Sequence, residues 1–207
     1  MAKPALTFWY EFASTYSWLA AERIDDLAQA AGVAVRWRPF LLGPVFAAQG
    51  WSTSPFNLYP AKGRNMWRDM ERLAAARGLP AVVKPEPFPQ NSLYAARVAT
   101  ALPDPARPIF SRAVFRAEFT HGRPIADRAV IAAILGEMVE DPAAVLVAAE
   151  MAATKAALRE ATEDAQALGI YGAPSFITAG GELFWGNDRL EQALAWAKRE
   201  SGKKYMH

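Results

Sequence analysis

The chain has no cysteine among its 207 residues. That removes disulfides, thiolate metal ligands and any protein-borne thiol nucleophile, but it does not fix the compartment, because a reducing cytosol permits cysteine without demanding its absence. Histidine is nearly as scarce: only His121 and His207 occur. A histidine metal cluster or a Ser-His-Asp triad is therefore poorly supplied. Charge of one sign is also lacking, since 23 basic and 21 acidic residues leave a net charge of +2. No run of Lys or Arg is long enough to track a phosphate backbone, which argues against a nucleic-acid partner. No apolar stretch reaches spanning length, and the N-terminal "MAKPALTFWYEF" has Glu11 inside an aromatic run where a signal peptide would have an apolar core. A soluble cytoplasmic protein with no membrane partner is expected.

What is present is apolar material for a substantial core, 52% of residues, enough for one large domain or a small domain carrying an insertion. Residues 5–12, "ALTFWYEF", read as a buried strand, and a helix over 15–31 follows, ended by Gly32. In "VAVRWRPFLL", Val33, Val35 and Trp37 alternate with Ala34, Arg36 and Arg38, a second strand. Residues 43–60 carry no sustained period and read as a long loop with one short helical turn. Helices are expected over 61–77, 90–102, 105–121, 126–138 and 142–168, punctuated by "GLP", "FPQN", "LPDP", "GRPIAD" and "EDP". The end changes character: "GIYGAPSFIT", a tight "AGGE" turn, "LFW", and a helix over 188–200. This order predicts an α/β chain, a thioredoxin-like fold interrupted by an all-helical insertion. The thioredoxin-like domain is expected to comprise residues 1–42 plus 169–207, and the insertion 43–168.

Four local features invite a functional reading beside a plain one. In "FWYEFASTYSWLA", Ser14 and Ser17 stand three apart at the mouth of a helix, the spacing at which thiol oxidoreductases carry two cysteines. Ser14 is a good N-cap residue, and it also stands where unpaired N-H groups and the helix dipole favour an anion. Pro174 in "YGAPSF" either starts a strand or follows a cis bond that presents the backbone of Ala173 to an extended peptide. Asn187 and Asp188 in "WGNDRL" either cap the last helix or hold the charged end of a ligand. Lys62 in "YPAKGRNMW" is a solvated lysine or a carboxylate partner.

Taken together, "FASTYSWLA", "RPFLLG", "PAKGRNMWRDMERLAAARGLP", "FPQNSLYAARVA", "GIYGAPSFI" and "GELFWGNDRL" fall in an order that resembles the kappa-class glutathione transferases. The order is more closely similar to that of the 2-hydroxychromene-2-carboxylate isomerases, relatives of the DsbA disulfide oxidoreductases. The resemblance covers nearly the whole chain. It implies a glutathione-dependent enzyme in which S-x-x-S takes the place of C-x-x-C. Ser14 is then the catalytic residue, hydrogen-bonded to the glutathione sulfur, and Ala173, before cis Pro174, pairs with the cysteinyl backbone. Asn187 and Asp188 receive the γ-glutamyl end, and Lys62 the glycyl carboxylate. The family often has an asparagine in a "G-N" step before the lysine, where this chain has Gly50-Trp51, with Asn57 nearby but out of register.

The implied reaction interconverts 2-hydroxychromene-2-carboxylate and trans-o-hydroxybenzylidenepyruvate, or a related small aromatic substrate, by reversible thiolate addition. Trp51, Phe56, Tyr59 and Trp67 are candidates for the aromatic wall or for plain packing. A homodimer is implied by the resemblance alone. The competing readings are a kappa-like transferase that releases a conjugate, and a non-catalytic thioredoxin-like module that binds thiols or peptides.

Overall fold

The computed structural model describes residues 3–203; the outer ends of the expected thioredoxin-like domain, 1–2 and 204–207, lie outside them. In chain order the elements are β1 (Ala5–Tyr10), α1 (Thr15–Ala21), α2 (Ile24–Ala31), β2 (Ala34–Pro39), α3 (Leu42–Ala48), α4 (Pro55–Leu58) and α5 (Pro60–Ala76). They continue with α6 (Leu93–Ala101), α7 (Ala106–Phe119), α8 (Arg128–Gly136), α9 (Pro142–Glu150) and α10 (Ala152–Ala167). β3 (Ser175–Thr178), β4 (Leu183–Trp185), a 3-10 turn (Asn187–Arg189) and α11 (Leu190–Lys203) complete the chain. The four strands form one mixed sheet in the order β2-β1-β3-β4, with β1 parallel to β2 and antiparallel to β3, and β4 antiparallel to β3.

β1 is apolar almost throughout because both of its faces are covered. Successive side chains of a strand point to opposite faces. Leu6, Phe8 and Tyr10 accordingly enter the main core with Trp18, Trp37, Phe115 and Phe176, while Trp9 packs on the other side with Phe40, Ala165 and Ile177. Phe8 sits opposite Trp37 on one neighbour and Phe176 on the other, with ring centroids 4.8 and 5.5 Å away. This aromatic ladder fixes the register, since a slip of one residue would carry Trp9 into the wrong core.

Three expectations need correction. The helix expected over 15–31 breaks at Glu22 and Arg23, where Arg23 leaves helical geometry (φ −130°, ψ −13°). The Glu22 carboxylate there accepts from Trp18 Nε1 and, through both oxygens, from Arg116 of α7. The apolar period runs through the break, so spacing alone could not reveal it. The segment 142–168 is likewise two helices, hinged at an extended Met151 (ψ 150°). The region expected to be mostly loop, 43–60, holds two helices; α4 has Ser54 accepting from Phe56 N at its start and Pro55 in its first turn, a cap signature plain in the sequence.

Candidate active site

Ser14 lies in the turn between β1 and α1. Its Oγ accepts from Ser17 N at 3.2 Å, which caps α1, and its single proton is donated to the carbonyl oxygen of Ala173 at 2.9 Å. The plain reading of Ser14 and the functional one thus share one hydroxyl. Ser17 has a different fate: it is fully buried, and its own hydroxyl has no partner among the described residues. The S-x-x-S pair therefore presents one serine, not two.

The Ala173-Pro174 bond is cis, and Ala173 lies directly across from Ser14. Pro174 O accepts from Gly186 N at 3.0 Å, which ties this corner to the segment carrying Asn187 and Asp188. Gly186 has φ +106°, and a Cβ there would lie 2.6 Å from Asp188 Oδ1, so only glycine fits this turn without displacement. Asn187 and Asp188 lie within the 3-10 turn that precedes α11, after its N-cap residue Gly186, which makes no side-chain cap bond. Asn187 is buried, and its Oδ1 has no hydrogen-bond partner among the described residues. Asp188 is open to solvent, 3.8 Å from Arg189 Nε.

Ser14, Ala173, Asn187, Asp188 and Lys62 all line one cavity of about 1170 Å³. Pro174 is not in its wall. Lys62 lies exposed at the start of α5, its Nζ 4.7 Å from the Tyr59 ring centre. Of the aromatics considered for the substrate wall, Trp51 and Phe56 line this cavity. Trp67 lines a separate small pocket instead, and Tyr59 lines neither. Sequence reasoning missed Phe46, paired with Trp51 at 5.6 Å, and Tyr171 and Trp185, paired at 4.9 Å near the rim. Asn57 points away, donating to Phe88 O and Thr53 Oγ1.

Titratable groups were also missed, among them Arg77 and Glu11. Arg77 lines the cavity near the far end of α5, and burial followed by the nearby Arg23 lowers its pKa. Glu11, three residues before Ser14, is buried in the cavity wall and shares a hydrogen bond with Ser92 Oγ at the start of α6. Burial, the largest cause, pushes Glu11 up to about 7 against the lowering effect of Ser92 and the backbone of Ala13. A lone carboxylate inside an aromatic run was the available signal.

A family model described as a DSBA-like thioredoxin domain matches residues 5–195. The chain belongs to this family. Within it, the chain is similar to the 2-hydroxychromene-2-carboxylate isomerase of Sphingobium xenophagum, at 27% identity over 187 residues, 90% of this chain and 94% of that one. A solved structure of 2-hydroxychromene-2-carboxylate isomerase matches with a TM-score of 0.83 at 25% identity, covering 97% of this chain and 98% of that one. The cytosolic disulfide reductase DsbM of Pseudomonas aeruginosa, solved with GSH, shares the fold at a TM-score of 0.65 and 17% identity, covering 98% and 100%. Among the described residues of this DSBA-like chain, no helix is long and apolar enough to cross a membrane.

Proposed function

We propose that the chain is a glutathione-dependent isomerase that interconverts 2-hydroxychromene-2-carboxylate and trans-o-hydroxybenzylidenepyruvate or a related aromatic substrate. The observation that carries this reading is the Ser14 hydroxyl facing Ala173 in the wall of a cavity that also holds Lys62, Asn187 and Asp188. The similarity to a named isomerase over nearly the whole chain supports it, as does the presence of glutathione with another protein of this fold. With no cysteine in the chain, the sulfur must come from the ligand. The buried, unpartnered Oδ1 of Asn187 fits a tripeptide, since it can accept from the γ-glutamyl ammonium beside the Asp188 carboxylate. Lys62 answers the glycyl carboxylate, and the Ala173 backbone the cysteinyl unit before Pro174.

Glutathione supplies a thiolate that adds reversibly to a conjugated carbon, so that a double bond becomes a rotatable single bond. Ser14 holds the sulfur in its charged form. Lowering a thiol by two units from about 8.5 requires roughly 2.7 kcal/mol, and a hydrogen bond to a charged group contributes about 1.5 to 3 kcal/mol. α1 is only seven residues long, so its dipole adds little, about 0.3 kcal/mol. The hydroxyl carries most of the effect, and Phe46, Trp51 and Phe56 offer an apolar wall to an aromatic ring. The same reading takes residues 1–42 plus 169–207 as the thioredoxin-like unit and 43–168 as its insertion, in a cytoplasmic homodimer.

The test is an ultraviolet difference spectrum of the protein with glutathione across pH, followed by turnover of chromene carboxylates. Thiolate absorbance about two units below the free thiol's pKa, lost in Ser14→Ala, is the expected result. Absence of bound thiolate in the wild-type protein would overturn the reading, and net consumption of glutathione during turnover would mark a conjugating transferase instead.

A further inference from the structure

One buried group has no part in the scheme above. Glu11 sits in the same turn as Ser14, whose backbone N-H donates to Glu11 O at 3.1 Å, and both residues line the cavity. Behind it on α7, Glu118 is wholly buried, and neither of its carboxylate oxygens has a hydrogen-bond partner among the described residues. The polar groups meeting Glu11 are Ser92 Oγ from the start of α6 and the Ala13 backbone in its own turn, and the Glu11 charge acts in turn on Glu118. Among the described residues no cation pairs with either carboxyl. Two carboxyls buried without a cation resist ionising together. Glu118, the deeper of the two and raised by burial first and by Glu11 second, keeps its proton. Glu11, at the cavity wall, is the member able to exchange one.

We propose that Glu11 is a further catalytic residue, the acid and base that gives a proton to the substrate oxygen and takes it back. The proposal rests on the glutathione reading of the cavity. When a thiolate electron pair forms a bond to the β-carbon of a conjugated carbonyl compound, the π electrons move onto the carbonyl oxygen. Glu11 then transfers its carboxyl proton to that oxygen, its own O-H bond breaking as the new one forms, and is left as carboxylate. After rotation about the single bond, the carboxylate recovers the proton as the carbonyl re-forms and the C-S bond breaks. Nothing is oxidised, and no proton is consumed. An acid poised near the working pH suits a step that runs in both directions. The serine cannot take this role as well, because its single proton is engaged by the sulfur.

The experiment has two readouts. In the full-length protein labelled with [δ-13C]glutamate and assigned through its own backbone resonances, the Glu11 carboxyl is expected to titrate near neutrality, without glutathione, while Glu118 stays protonated. Titration of Glu11 in the ordinary carboxylate range overturns the proposal. In turnover with saturating glutathione, Glu11→Gln is expected to lose about 10²-fold or more in kcat and the limb of the pH profile near 7, while keeping the absorbance of bound thiolate. Glu118→Gln is expected to keep that limb. A Glu11→Gln variant with thiolate and undiminished kcat overturns the proposal, and so does a limb lost from Glu118→Gln instead. A wild-type protein that forms no thiolate fails earlier, at the glutathione reading, and takes this proposal with it.

Discussion

The cavity has two walls made on different principles. One is backbone: the turn before α1, the Ala173-Pro174 corner and the Gly186–Asp188 turn are joined by Ser14 Oγ to Ala173 O and Gly186 N to Pro174 O. The other is side chain: Phe46, Trp51 and Phe56 come from α3, the following loop and α4. A wall of hydrogen-bonded backbone holds its geometry and suits an invariant ligand. A wall of aromatic rings on short helices can vary in shape without disturbing the sheet, and suits the part of the reaction that changes from enzyme to enzyme.

Substitutions can break or sharpen this contrast. The largest effect is expected from Ser14→Ala on the backbone wall: loss of bound thiolate and a fall in kcat of about 10² to 10³. The accompanying loss of stability should be that of a helix cap and of the bond to Ala173 O, about 1 to 2 kcal/mol. Thiolate absorbance and thermal melting on the same sample check both parts.

At the seam of the two walls, Glu11 ties folding to pH. Its value, raised from about 4.5 to about 7, means that the folded chain holds a proton that the unfolded chain releases. Stability from this group is therefore complete below about 4.5 and declines as pH rises to about 7, by about 3 kcal/mol, then levels off. Denaturant melts at pH 5 and pH 8 should show a decline that Glu11→Gln reduces, the remainder coming from Glu118, which also holds its proton in the folded chain.

On the aromatic wall, Trp51→Ala should raise KM for an aromatic substrate about fivefold to tenfold, roughly 1 kcal/mol, with bound thiolate unchanged. An equal loss of thiolate would mean that the walls are not independent. The smallest effect belongs to Lys62→Ala, an exposed charge. Glutathione affinity should weaken by about 0.2 to 1 kcal/mol, and the difference should shrink further at high salt, as titration calorimetry at two ionic strengths will show.

The same division explains what could be read from the sequence. The backbone wall was legible because each part is a short contiguous signal: Ser14 before a helix, Ala-Pro before a strand, Gly-Asn-Asp before the last helix. The β-α-β opening and β-β-α close were legible for the same reason, each strand being a local apolar run between turn residues. The aromatic wall was only half legible. Trp51 and Trp67 look alike in sequence, and tertiary packing alone puts the first in the cavity and the second in another pocket. Glu11 stood out, but its partners Ser92 and Glu118 come from α6 and α7, and no local pattern joins them. The breaks at Arg23 and Met151 were hidden because the apolar spacing continues across each.

On the glutathione reading, the hydrogen bond from Ser14 to Ala173 would make the corner a filter for ionic state. A neutral acceptor gains nothing by taking the place of the Ala173 carbonyl, whereas a charged sulfur forms a bond about twice as strong. The site is thus expected to distinguish glutathione from its S-methyl ether or its hydroxyl analogue more sharply than their nearly identical shapes suggest. Recognition at this corner is then selection of an ionised ligand from a mostly neutral pool.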